Sequence, residues 1–483
     1  MEITLFTYAF LPLLLATRFK LDRLLLLIVL SSVFDAASVL NINLGSFAFG
    51  LQPAFAATII FIAIVMARWL AGQLFGNEGR VLYVFWPFIL FSAVAVLSAV
   101  LLPHLFAGEV FVWPQRKEPG MPDLAVPLYP NSGNITQAAY LSTTMLLAIT
   151  ACAHMESKPR LPQRVLDVYF ASGVLACAIA LWQWGGKIVG LYFPHDFFFS
   201  NPSWADNTDQ TFLNDAVPRI AGTFAEPSFL CFYLSGLIYA SGWRLVVAPP
   251  AFLPAAAFVG SVAVAALSTS TTGYVSIAVG IPLLLLFTAR TPLVIPRLGL
   301  AAAVAPPVLL VVGFLVWRYL PDLVEIGNQI LTDTLNKGST ESYEVRTRQD
   351  HDSYALLLDT FGLGAGWGSV RASSFLATFI GATGIWGPLL LVWLVLRVGR
   401  SWKRARRLAG PNSTLEPFAA SVVGMLVAAA TSKPDLVFTG FWINLAAAVA
   451  ISLQLRQRAD TEAVILEGAN VTVAAPASRG MIR

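Results

Sequence analysis

Charge is what this sequence has least of. Only 12% of its 483 residues are Asp, Glu, Lys or Arg, where soluble domains carry about 25%. Hydrophobic residues make up 57% against roughly 45–50%, and a single water-facing globule cannot bury that much apolar side chain. Soluble enzymes, disordered scaffolds and nucleic-acid-binding proteins are excluded on this ground. Histidine is scarce too, with 4 residues, and the 3 cysteines, Cys152, Cys177 and Cys231, all lie inside apolar runs. Cysteines so placed suit neither a disulfide framework nor a metal cluster, so they are expected to fill a core. The 31 basic and 27 acidic residues leave a formal charge of only +4, so where the charges sit matters more than their sum.

Apolar runs are what the sequence has in quantity. A stretch of about 20 apolar residues crosses a bilayer as a helix. Such stretches recur from 3–17 to 438–455, about twelve or thirteen in all. The pattern predicts an all-α, polytopic helical membrane protein with a large extracytoplasmic loop that contains amphipathic helices. Met1-Glu2-Ile3 carries no basic residue, so the first stretch reads as a span and not as a cleavable signal. Residues 1–458 form a single integral membrane domain in this reading, and the polar tail 459–483 is cytoplasmic and disordered.

Lys and Arg orient the bundle. Twenty-one of the 31 fall on one side, among them Arg18, Lys20, Arg23, Lys158 and the six between Arg397 and Arg407, which marks that side as cytoplasmic. Three long loops, about 103–136, 193–225 and 318–372, then face outward. Chemistry is expected there, because the spans hold few ionisable residues beyond Asp35.

In the third long loop, Leu320, Leu323, Ile326, Ile330, Leu331 and Leu335 recur at helical spacing, which predicts an amphipathic helix over 321–336 lying on the outer membrane surface. A second helix is expected after Lys337-Gly338, capped by Ser339 or Thr340. It carries Arg346, Arg348, Asp350, His351 and Asp352, the densest charge cluster outside the membrane. On a regular helix Arg348, His351 and Asp352 share one face, and Arg346 and Asp350 share another about 160° away. Two readings stand side by side. The cluster is a solvated face with internal ion pairs, or its arginines clamp an anion, since a guanidinium fork matches phosphate oxygens. His351 is either a general base or an ordinary surface histidine. The glycines from Gly362 to Gly368 lack the strand and helix context of a phosphate loop and predict a tight turn back into the membrane.

The second long loop ends in Arg219-Ile220-Ala221-Gly222-Thr223-Phe224-Ala225-Glu226-Pro227-Ser228 and runs straight into a span. Thr223 and Glu226 have the spacing of a capping box, with Pro227 tolerated in the first helical turn. Glu226 at the water–lipid boundary also suits a general base. A cap can orient a catalytic carboxylate, so both readings of Glu226 stay open.

These residues together resemble the bacterial O-antigen ligase and Wzy-type polysaccharide polymerase superfamily. The resemblance rests on Arg219-x-x-Gly222-x-Phe224-x-Glu226-Pro227-Ser228, on Leu267-Ser268-Thr269-Ser270-Thr271-Thr272-Gly273-Tyr274, and on Arg346 and Arg348 followed by Gly362-x-Gly364-x-Gly366. It covers about 165–396, roughly half the chain. Polymerases of this family are associated with an arginine, fifteen intervening residues and a glycine, a spacing that Arg346–Gly362 and Arg348–Gly364 meet and that Arg219–Ser235 does not. Many members carry arginine where this chain has Thr271. Ligases of the family use a histidine in the large loop, and His351 lies in a comparable region.

The resemblance implies an exopolysaccharide or O-antigen polymerase: a membrane glycosyltransferase of the bacterial cytoplasmic (inner) membrane. Its donor is a polyprenyl-diphosphate-linked glycan, its acceptor a second lipid-linked repeat unit, and transfer inverts configuration at the outer face. Arg219, Arg346 and Arg348 bind the diphosphate in this scheme, and Glu226 or His351 is the general base. No metal or other cofactor is expected. Partners are the glycan donor and acceptor, membrane lipids, and a flippase and chain-length regulator of the same pathway; no nucleic acid is. The alternatives are ligase-type transfer to lipid A core or protein, and, in a different class, a flippase or transporter of the lipid-linked sugar.

Overall fold

Where lipid replaces water, a chain must satisfy its own backbone hydrogen bonds, and a run of apolar residues does so as helix. The computed structural model describes residues 1–44, 47–115, 124–202, 212–213, 217–288, 332, 341–410, 413–432 and 437–473. The first half holds α1 (Leu5–Ala16), α2 (Leu21–Ser31), α3 (Pro53–Leu70), α4 (Glu78–Leu105), α5 (Ser132–Glu156), α6 (Leu161–Val189) and the short α7 (His195–Phe198). The second holds α8 (Pro227–Val247), α9 (Phe252–Leu267), α10 (Thr271–Thr288), α11 (Glu341–Asp359), α12 (Phe375–Thr383), α13 (Trp386–Arg406), α14 (Leu415–Ser432) and α15 (Thr439–Val473). The protein is an all-α polytopic membrane protein. Five helices, α3, α4, α5, α6 and α8, are each long and apolar enough to cross a membrane, and shorter apolar helices, α1, α9, α10 and α14, lie among them.

Helix α8 occupies the centre, packed against α14, α9 and α10. Small residues let it approach α14 closely: a Cβ on Gly424 would stand 2.6 Å from the carbonyl oxygen of Ser235. The three cysteines are buried free thiols. Among the described residues, strand pairing is confined to the loop end of the bundle. There β1 (Glu2–Ile3), β2 (Leu40–Leu44) and β3 (Phe47–Leu51) form an antiparallel sheet in that order, with Ile3 opposite Leu40 and Asn41 opposite Gly50. Two small hairpins accompany it, β4 (Phe111–Val112) with β5 (Val126–Pro127) and β6 (Phe212–Leu213) with β7 (Val217–Pro218).

The opposite end collects charges in pairs. Asp22 accepts from His154 at 2.7 Å and from Lys158 at 2.6 Å; Arg80 meets Glu156 at 2.9 Å; Arg406 meets Glu416 at 3.2 Å. Several expectations change here. Helix α2 stops at Ser31, so Asp35 lies in the following turn, where Gln52 Nε2 donates to its carbonyl at 2.8 Å and to its carboxylate at 3.2 Å. Among the described residues the buried histidine and carboxylates are His154, Glu156 and Glu416. The stretch from 459, expected to be disordered, continues α15 through Val473, because Ala459, Glu462, Ala463, Leu466 and Glu467 are strong helix formers. The amphipathic helix expected over 321–336, apart from Thr332, and the span near 298–317 lie outside the described residues.

Candidate anion-binding site

After β7 the chain crosses the loop end of α6 without regular structure, and two side chains of α6 hold it down. The Gln183 side-chain carbonyl accepts from the backbone N–H groups of Ala221 at 3.0 Å and Gly222 at 2.9 Å. Lys187 Nζ donates to the carbonyl of Arg219 at 2.6 Å. The two are one helical turn apart and so share a face. Further along, Thr223 is tied to the turn after α2: its hydroxyl donates to the Val33 carbonyl, and its own carbonyl accepts from Ala36 N–H at 2.9 Å. Thr223 therefore does not cap α8, and the expected capping box is not formed. Glu226 is itself the N-cap residue, extended at φ −143° and ψ 155°, with Pro227 opening the helix. Its side chain makes no capping hydrogen bond. It is half-buried and accepts from Ser228 Oγ at 3.1 Å.

Arg219 is the centre of this region. Burial chiefly, and then the positive charge of Arg346 on α11, push its guanidinium below the usual arginine range, while Glu226 pulls the other way. Its Nε is buried without a hydrogen-bond partner among the described residues. The turn between α9 and α10 closes on the same place through Cys231, which lies within electrostatic reach of Arg219 and whose Sγ is 3.0 Å from Ser268 Oγ. Thr269 in that turn has φ +55°, a left-handed conformation unusual for a β-branched residue. Residues 219–228 and the 268–273 turn thus lie together at the loop end of α8, with the exposed Arg346 within electrostatic reach of Arg219.

The other two predicted residues go elsewhere. Because α11 is continuous over Glu341–Asp359, Arg348 and His351 turn away from Arg346. Arg348 is 70% and His351 82% exposed, and both lie near Asp352, Arg348 Nε at 4.0 Å and His351 Nδ1 at 3.5 Å. Asp352 accepts from Trp113 Nε1 at 2.9 Å, so this face belongs to the contact with the first long loop. Asp350 accepts from Ser373 N at 2.7 Å and Ser374 N at 3.1 Å just before α12. The glycine run is a structural turn. Gly362, Gly364, Gly366 and Gly368 all have φ between +81° and +99°, and a Cβ on Gly364 would stand 2.6 Å from the backbone nitrogen of Gly384.

The sequence reading missed Gln183 and Lys187. One signal was available for the lysine: it is the sole charge in the outward half of a 29-residue helix, on the side where positive charge is sparse. The site as a whole offers guanidinium, ammonium and hydroxyl donors with one carboxylate beside them. That donor set suits an anion and not a metal ion. No family model matches the chain, and no curated protein matches it.

Proposed function

We propose that the protein is a membrane glycosyltransferase that polymerises polyprenyl-diphosphate-linked oligosaccharide units at the outer face of a bacterial cytoplasmic membrane. The observation that carries this reading is the convergence of Arg219 and Arg346 from two separate loops, with the Arg219 Nε unpartnered and Glu226 alongside. Arg219 is half-buried and Arg346 exposed; like charges within electrostatic reach repel one another, and a polyanion relieves that repulsion. A lipid-linked diphosphate supplies it at the depth where the helices end, with its polyprenyl chain in the bilayer.

The chemistry then follows. The acceptor hydroxyl oxygen attacks the anomeric carbon, the bond from that carbon to the diphosphate oxygen breaks, and its electron pair leaves on the diphosphate. Arg219 and Arg346 stabilise the charge that develops there. The hydroxyl proton passes to the Glu226 carboxylate, and attack from the face opposite the leaving group inverts the anomeric centre. Glu226 is preferred to His351 as the base because it stands with the arginines and His351 does not. Arg348 likewise drops out of the clamp.

The test is an assay with purified protein in lipid nanodiscs and a polyprenyl-diphosphate oligosaccharide as both donor and acceptor. The expected result is a ladder of longer lipid-linked glycans with release of polyprenyl diphosphate. Transfer only to a lipid A core or protein acceptor would make the protein a ligase. Movement of the intact donor across liposome membranes, without any new glycosidic bond, would make it a transporter and sink the enzymatic reading.

A further inference from the structure

We infer that the C-terminal end of α11 docks on lipid, with Tyr354, Leu358 and Phe361 seated in the leaflet at the loop end of the bundle. This goes beyond the enzymatic reading and does not depend on it. The buried side chains of α11, Gln349, Ser353 and Leu356, with Thr360 just past its end, recur at helical spacing and mark the face packed on protein. The opposite stripe, with Glu344, His351, Tyr354 and Leu358, is exposed and continues into Phe361. Its chemistry changes along its length. The first half is charged; then comes Tyr354, an aromatic ring with a polar tip, and then Leu358, 80% exposed, and Phe361, 88% exposed. A single exposed apolar side chain is ordinary, but these three stand in register at one end of one face. That order suits a helix passing from water through the headgroups to acyl chains, because ring side chains with a polar tip favour the interface.

What covers this end follows from its neighbours. The Gly362 carbonyl accepts from Ile385 N at 3.1 Å, at the start of α13, where Trp386 and Leu389 are exposed. The glycine turn also packs on the last turns of α4. Trp367 N donates to Ser98 Oγ at 3.2 Å, and a Cβ on Gly366 would stand 2.8 Å from Pro103 Cδ. Leu101 and Leu105 on those turns are exposed as well. Helix α4 is long and apolar enough to cross a membrane, and α13 packs against it. Apolar side chains on the outside of such helices face lipid. The Phe361 end of α11 therefore continues a lipid-facing surface. Asp359, also exposed, is turned about 100° from Leu358. A carboxylate there confines the docked end to the boundary between headgroups and acyl chains.

The experiment places a nitroxide label on the full-length protein in lipid nanodiscs at Leu358→Cys or Phe361→Cys. Leu389→Cys is the lipid-facing reference and Arg348→Cys the water-facing one. The native cysteines are buried, and wild type carried through the labelling controls for them. Collisions with oxygen, which concentrates among acyl chains, are compared with collisions with a water-soluble nickel chelate. Labels at 358 and 361 are expected to favour oxygen as at 389, with the ratio reversed at 348. Two results overturn the inference: labels at 358 and 361 that favour the chelate as at 348, which leaves the face in water, or labels shielded from both reagents, which puts protein over it. A second measurement needs no substitution. Hydroxyl-radical footprinting of wild type in nanodiscs is expected to mark His351 and spare Phe361, and equal marking of the two overturns the inference as well.

Discussion

The two ends of the helix bundle treat charge in opposite ways. At the basic end, Asp22 sits with His154 and Lys158, Glu156 with Arg80, and Glu416 with Arg406, whose guanidinium also lies 5.7 Å over the Trp243 ring. Each of these three carboxylates has a cationic neighbour, so the pairs tie α2, α4, α5, α13 and α14 together. At the loop end, Arg219 lies within electrostatic reach of a second cation, Arg346, and of the carboxylate Glu226. Paired charges are what a fold uses for its own architecture, whereas like charges kept together are a cost that a ligand removes. Under the proposed function, this difference separates a structural end from a functional one.

The comparison breaks most readily at the loop end. Removing both clamp residues, Arg219→Ala with Arg346→Ala, is expected to lower glycan transfer by more than ~10³-fold, the scale of losing oriented charge at a leaving group. The melting temperature should not fall, because a repulsion goes with them. A large loss of stability would show that these arginines are architectural. Glu226→Gln should slow transfer by at least ~10²-fold while leaving pyrophosphate affinity nearly intact, as expected of a base that does not hold the donor. Equal losses in both measurements would assign Glu226 to the clamp.

The basic end should answer with stability and not with rate. Arg80→Ala leaves Glu156, 3% exposed, without its cation, and is expected to cost about 2 kcal/mol, seen as a lower melting temperature with the rate per folded molecule unchanged. The smallest effect belongs to Arg348→Ala and His351→Ala. Both side chains point into solvent, so transfer should stay within about threefold of wild type.

The helical membrane architecture was legible from apolar runs alone, since length and hydropathy suffice to specify spans. The candidate site was legible only in part. Arg219, Glu226 and Arg346 could be named from local motifs, and helix periodicity already separated Arg346 from Arg348. What no local pattern shows is where each face of α11 goes; that is settled by Asp352 bonding to Trp113 and Asp350 to the backbone before α12. The capping-box spacing of Thr223 and Glu226 misled for a similar reason. A distant partner, the Val33 carbonyl, claims the Thr223 hydroxyl, and short-range patterns carry no information about distant partners. Lys187 and Gln183 were overlooked because each is a lone polar residue in an apolar helix, ordinary until the 219–222 segment is seen lying across them.

Two arginines, two residues apart on one helix, put the central claim to its most direct test. Transfer of glycan between polyprenyl-diphosphate-linked oligosaccharides should be measured with Arg346→Ala and Arg348→Ala side by side in nanodiscs. Loss of more than ~10²-fold in the first, with the second near wild type, is the predicted result. Equal activities, or a loss confined to Arg348→Ala, would contradict the account.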